Sequence, residues 1–184
     1  MRCRRSQICR KLAEDAQMPD KKTIEKAKKD KREGKSPSSQ AGEFVKAEID
    51  KIRKGKHGAR SPKQAIAIGL SEARRAGVDL PPPKNGKIKK STRKSAKYAY
   101  EAGQHRRKTT RRPKVSRAMS NVLKHEPKNT VSHKMLSRQA KTASARRSAA
   151  SRSAAARKAA RTKGAAGRSA AAKKGARTRA RHRS

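Results

Sequence analysis

SPKQAIAIGLSEARRAG, residues 61–77, is the one stretch of this chain that specifies its own start, face and stop. Ser61 is placed to cap a helix, Pro62 suits the first helical position, and Gln64 completes an S-x-x-Q capping box. Ile66, Leu70 and Ala73 follow at i, i+4 and i+7 with Gly69 beside them, which is one face of a helical period. Gly77 supplies the left-handed residue that ends the helix, and Val78 folds back onto the last turn.

Upstream, residues 41–54 predict a second amphipathic helix, with Val45, Ile49 and Ile52 in one stripe widened by Phe44, and Asp50 placed to pair with Lys54. Gly55 stops it, and a short loop leads straight to the Ser61 cap, so the two helices are expected to form an antiparallel hairpin. Residues 20–33 read as a charged surface helix whose only large aliphatic is Ile24, with Glu25 four residues before Lys29. GKSPSSQ, residues 34–40, reads as a linker.

Downstream, VDLPPPKNGK imposes an extended segment, because three prolines cannot continue a helix. Ser91 or Thr92 then caps a helix through Tyr100, with Gly103 as its stop and Ala96, Ala99 and Tyr100 facing inward. Residues 41–103 are thus expected to form a small, marginal helical module that a protein partner could order. RRKTTRRP, residues 106–113, reads as a basic hinge. A short helical pair follows, 116–124 with Met119, Val122 and Leu123, and one from Thr130 or Ser132 with Met135, Leu136 and Ala140. After Leu136 no apolar residue is larger than Ala.

Charge decides the functional class. The 184 residues hold 55 Lys and Arg against 13 Asp and Glu, a formal net charge of +42, with 31% hydrophobic and 2% aromatic residues. Such a chain buries little surface, so an all-α but partly disordered protein is expected. Residues 104–184 carry 26 of the cations and one acid, Glu126. An excess of that kind is neutralised by a polyanion. A membrane is the weaker candidate, since the basic region offers no bulky apolar face. DNA is the expected partner and RNA the alternative.

The tail from residue 142 is built from Ala, Arg, Lys, Ser, Thr and Gly. RSAA recurs at Arg147, Arg152 and Arg168 with irregular spacing, which reads as low complexity rather than a solenoid. Ala favours helix and unpaired cations oppose it. The tail to about Thr162 is therefore expected to be mostly disordered when free and to gain helix on DNA, with Gly164, Gly167 and Gly175 keeping the end irregular. The candidate phosphate contacts are Arg106, Arg107, Lys108, Arg111, Arg112, Arg146, Arg147, Arg152, Arg157, Lys158, Arg161, Lys163, Arg168, Lys173, Lys174, Arg177, Arg179, Arg181 and Arg183. Arg60, Lys63, Arg74 and Arg75 around the central helix are candidate secondary contacts, against the alternative that Arg at a helix C-terminus merely complements the dipole. Tyr98 and Tyr100 are read as packing residues rather than base-stacking ones. Nothing in the tail can read base edges in a fixed register, so binding is expected to be independent of sequence.

Catalysis has almost no signal. His57, His105, His125, His133 and His182 are scattered, His125-Glu126-Pro127 is not a zinc-protease helix, and no phosphate loop is present. No enzyme activity, metal or cofactor is expected. Cys3 and Cys9 are too few for a disulfide framework and fit a reducing compartment. No run approaches a bilayer span and no apolar signal core follows the basic N-terminus, so a cytoplasmic, nucleoid-associated location is expected. Residues 1–17 differ in character from the rest, and Met18 is expected to be the natural initiator.

HGARSPKQAIAIGLSEARRAGVDLPPP (57–83), preceded by KKTIEKAKKDKREGKSPSSQAGEFV, resembles a family of small, uncharacterised bacterial basic proteins. The resemblance runs from Met18 to about Gly103. It implies a bacterial source and carries no functional residue. The tail is similar in composition to linker-histone tails and bacterial histone-H1-like proteins. Together these lead to the expectation of a histone-like, sequence-independent DNA-binding protein, with an RNA-binding or ribosome-associated protein, or a protein-docking adaptor tethered to nucleic acid, as alternatives.

Overall fold

In the computed structural model, which describes residues 20–83, 88–107 and 112–181, the central helix starts where the sequence places it. Ser61 is extended (φ −158°, ψ 161°) and its hydroxyl accepts from the Gln64 N–H at 3.4 Å. The return bond of a capping box is displaced by one residue, since the Gln64 amide oxygen accepts from the Arg60 N–H at 2.9 Å. The described residues are all-helical. They comprise α1 (Lys21–Arg32), α2 (Pro37–Arg53), α3 (Pro62–Arg75), α4 (Lys90–Gly103), α5 (Pro113–His125), a 3-10 turn (Asn129–Val131), α6 (His133–Ala145) and α7 (Ala149–Arg181). Two compact units divide the chain, residues 1–136 and 137–184. The proposed start at Met18, Cys3, Cys9, Lys108, Arg111, His182 and Arg183 lie outside the described residues.

In the first unit α2 and α3 pack as the expected hairpin, with α1 against α2 and α4 against α3. Both helix faces keep part of the expected stripe, Phe44 and Ile52 on α2 and Gly69 and Ala73 on α3, but are turned so that its other residues lie at the edge. On α2 the buried stripe is Ala41, Phe44, Glu48 and Ile52, while Val45 and Ile49 flank it. On α3 it is Ala65, Gly69 and Ala73, with Ile66 and Leu70 partly exposed. The cause is close approach. A Cβ on Gly69 would stand 2.7 Å from Val45 Cα and 2.9 Å from Val45 N, so small residues face the crossing and branched ones ring it.

Gly69→Ala is therefore expected to destabilise the first unit by about 1–3 kcal/mol, because a backbone atom rather than a flexible side chain must give way. Gly42, exposed on α2 with nothing within 4 Å of its would-be Cβ, is the control. Gly42→Ala is expected to stabilise by roughly 0.5–1 kcal/mol through helix propensity alone. Urea melts of the two variants should shift in opposite directions; a shared direction would refute the close crossing.

Other expectations are corrected. The linker ends earlier, because Pro37 already occupies the first position of α2 after an extended Ser36. Rather than a marginal surface helix, α1 contributes Ala27 and Ile24 to a core with Ala41, Phe44, Ala73 and Val78. Lys29 pairs with Glu33 at 3.9 Å instead of with Glu25. Gly77 does take the left-handed conformation (φ 87°) and Val78 N donates to Ala73 O at 3.1 Å, as a helix end of this kind requires. Gly103, by contrast, is the last helical residue of α4 and touches the Arg74 carbonyl; the left-handed residue after α4 is His105 (φ 55°).

A second core cluster joins segments far apart in sequence. Val131, in the 3-10 turn, is buried with Ile52, Ala59 and Ala65. Gly58 N donates to Leu123 O at 2.7 Å, Ala59 N to Pro127 O at 3.0 Å, and Thr130 Oγ1 to Ala59 O at 2.8 Å. Arg53 donates to the Val131 carbonyl through both Nε and Nη2. The loop HGAR is thus clasped by residues 123–131, and His125-Glu126-Pro127 belongs to that clasp.

Glu48 is the most deeply buried charge among the described residues of this unit, 1% exposed, with no hydrogen-bond partner at Oε1. His57 Nε2 lies 3.5 Å from Oε1, and Lys51 Nζ lies 4.0 Å from Oε2 and 3.5 Å from Glu72 Oε1. The carboxylate of Glu48 pushes the His57 pKa above its ordinary 6.5, against the opposing effect of burial. Burial likewise raises Glu72. A raised folded-state pKa means that the His57 contribution is complete below pH 6.5 and is lost as pH rises through the folded value. The melting temperature is expected to fall over that window at constant salt, and Glu48→Gln to flatten the fall. Parallel pH curves for the two proteins would refute the pairing.

Candidate nucleic-acid interface

Beyond Glu126 the sequence contains no Asp or Glu, and residues 137–184 hold sixteen Lys and Arg. No residue of α7 is buried, and its cations are exposed. Ala occupies most of the positions between them, so the helix can approach a phosphate surface closely while keeping its propensity. The tail is helical from Ala149 through Arg181 with no DNA present, rather than disordered to Thr162 and irregular beyond it. Gly167 and Gly175 lie inside the helix, and Gly164 (φ 65°, ψ 180°) is its single non-helical position. Arg146 and Arg147 precede α7 and are also exposed. Helical folding thus arrays Arg152, Arg157, Lys158, Arg161, Lys163, Arg168, Lys173, Lys174, Arg177, Arg179 and Arg181 along one element.

The candidate contacts around the central helix separate. Arg74 is 7% exposed and its Nε donates to the Leu80 carbonyl at 3.0 Å, so it holds the segment after α3 and is withdrawn from any phosphate. Burial lowers its pKa. Arg60 is exposed but pairs with Glu126 at 3.1 Å as part of the clasp. Lys63 and Arg75 are exposed.

Arg75 lines an open groove of about 650 Å³ between α3 and α4, together with Lys94, Lys97, Tyr98 and Arg107. The Arg107 guanidinium lies 4.8 Å over the Tyr98 ring, and Glu101 pairs with Lys97 and with Arg107, each at 3.6 Å. Tyr100 is partly buried and its hydroxyl donates to Asp79 at 2.6 Å, an arrangement that raises its pKa. Tyr98 is 40% exposed. Lys94 and Lys97 escaped the sequence reading. Their only signal is spacing: Lys94 stands four residues before Tyr98, on its side of α4, and Lys97 three after Lys94. Arg106 and Arg112 are exposed on the flanks of the basic hinge.

The class defined by these features is an all-α protein with a small helical core and an acid-free helical tail. Residues 19–85 match the family described as "Family of unknown function (DUF6496)", a span that takes in α1, α2 and α3 and stops before α4 and the tail. No curated protein and no solved structure matches the chain. Among the described residues no helix is long and apolar enough to cross a membrane, and no group of His, Cys, Asp and Glu could hold a metal.

Proposed function

We propose that the protein binds duplex DNA without regard to base sequence, as a histone-like, nucleoid-associated protein, and that the tail supplies most of the binding. The supporting observation is the acid-free run of exposed cations along α7, in a chain whose formal net charge is +42. Phosphates neutralise it, and release of condensed counterions drives the association. Binding also removes the repulsion between neighbouring cations on the helix, so helix and complex stabilise each other. Ala, Ser and Thr carry no fork-shaped donor set for base edges, and Arg and Lys spread along the helix contact backbone in any register.

The test compares the full chain with a chain ending at Ala145, using anisotropy of a labelled random-sequence duplex. A shortened chain that binds as tightly as the full one refutes the reading. The groove at Tyr98 favours a second mode, contact with single-stranded RNA or DNA, in which a base stacks on the ring and Lys94, Lys97 and Arg75 meet the backbone. Competition by unstructured RNA that Tyr98→Ala abolishes would support this mode, and competition unaffected by the substitution would remove it.

A further inference from the structure

The break at Gly164 falls between two copies of one sequence. RSAAARKAARTK, residues 152–163, and RSAAAKKGARTR, residues 168–179, stand sixteen residues apart and agree at nine of twelve positions. They differ only as Arg157 against Lys173, Ala159 against Gly175 and Lys163 against Arg179, so all five cationic positions keep their charge. The recurrence of RSAA alone hides this register, because the tetrapeptide at Arg147 belongs to neither copy. Local structure repeats with the sequence. Thr162 Oγ1 donates to Lys158 O at 3.0 Å, and its equivalent Thr178 Oγ1 donates to Lys174 O at 3.1 Å.

The position of the break follows from helix geometry. An uninterrupted α-helix turns by about 100° per residue, so equivalent cations sixteen residues apart would point about 160° away from each other. Two copies on one straight rod would face opposite sides, and a single duplex could meet only one of them. The backbone at Gly164 leaves the helical region at the residue following the first copy, which lets the second be re-aimed. Arg168, the first residue of the second copy, donates from Nη1 to Ala160 O at 3.2 Å, a side-chain tie that joins the two copies across the break. Each copy is about 18 Å long. At one phosphate per ~3.4 Å of strand that length spans roughly five phosphates, one for each cation of a copy.

We propose that the tail is a tandem pair of equivalent duplex-binding helices, jointed at Gly164, that lie one after the other on a single DNA duplex. The proposal rests on the reading that the tail binds DNA, and it adds a count of modules, their equivalence and the joint between them.

Salt titrations of the full chain on a random-sequence duplex test it, with the five cations of either copy changed to Gln. Either change is expected to lower the log–log salt slope by the same amount, roughly four to five. Gly164→Ala favours the straight helix, and a variant with residues 168–179 in shuffled order keeps charge while losing register. Both are expected to lose on the order of 10²-fold in affinity, the advantage of linking two modules on one lattice. Unequal slope losses overturn the proposal, as does wild-type affinity in the Gly164→Ala or shuffled chain, while tail-dependent DNA binding would stand. Salt-insensitive or absent binding by the wild-type chain would overturn the DNA reading and this proposal together.

Discussion

Raising salt from about 50 to 200 mM is expected to weaken binding of the full chain to a random-sequence duplex by ~10³–10⁵. The expectation assumes six to ten phosphate contacts, each contributing about −0.9 to the log–log slope. Residues 137–184 offer sixteen cations and no acid, so such a number is met even if nearly half stay in solvent. Ending the chain at Ala145 removes fourteen of them and leaves the first unit whole. An earlier end, at Gly103, would also remove Val131 and the clasp on the HGAR loop, and so would confuse lost binding with lost structure. The shortened chain is expected to show a slope reduced to the few contacts of the groove at Tyr98. A slope that survives truncation unchanged would move the interface onto the first unit.

Phe44→Ala is expected to cost about 3–5 kcal/mol, a large share of the stability of a unit this small. Phe44 is 0% exposed and is the sole phenylalanine of the chain. Its buried neighbours are mostly small, Ala27, Ala41 and Ala73 with Val78, and the larger Ile24, Leu70 and Leu80 pack at the edge of the cluster. The backbone contact between Gly69 and Val45 also stops the helices from closing on the cavity. Urea denaturation followed by circular dichroism measures the loss, and a change below about 1 kcal/mol would mean that this cluster is not the core. The salt slope for DNA is expected to survive the substitution, because the tail cations do not rest on Phe44.

Charge and capping were legible because both are local or additive. Ser61, Pro62 and Gln64 act within one turn, and Gly77 with Val78 within the next, so the start and stop of α3 needed no partner to be recognised. The cationic tail was legible as a tally. Its internal register was not, since a short word recurring three times masked a longer one recurring twice, and the break at Gly164 drew attention to the boundary.

Hydrophobic pattern misled where a helix crossing decided burial. Apolar size placed Ile66, Leu70, Val45 and Ile49 at the centre of the buried faces; Leu70 and Ile49 do pack against the core clusters, but Ala65 and Glu48, which the pattern passed over, are the fully buried residues beside Gly69, Phe44 and Ile52. Arg74 was read as a free cation because nothing beside it announces that the Leu80 carbonyl will take its guanidinium.

From composition, caps and spacing alone came the helical class, the helix at residues 61–77 with its start and stop, and the unbalanced positive charge, since each depends on residues within a turn or on a simple count. The inward faces, the buried Glu48 beside His57, the clasp of residues 123–131 on the HGAR loop and the groove at Tyr98 required the folded chain. In each, a residue's role is set by a neighbour on a different segment of the chain, and such pairings become visible only when the helices are in place.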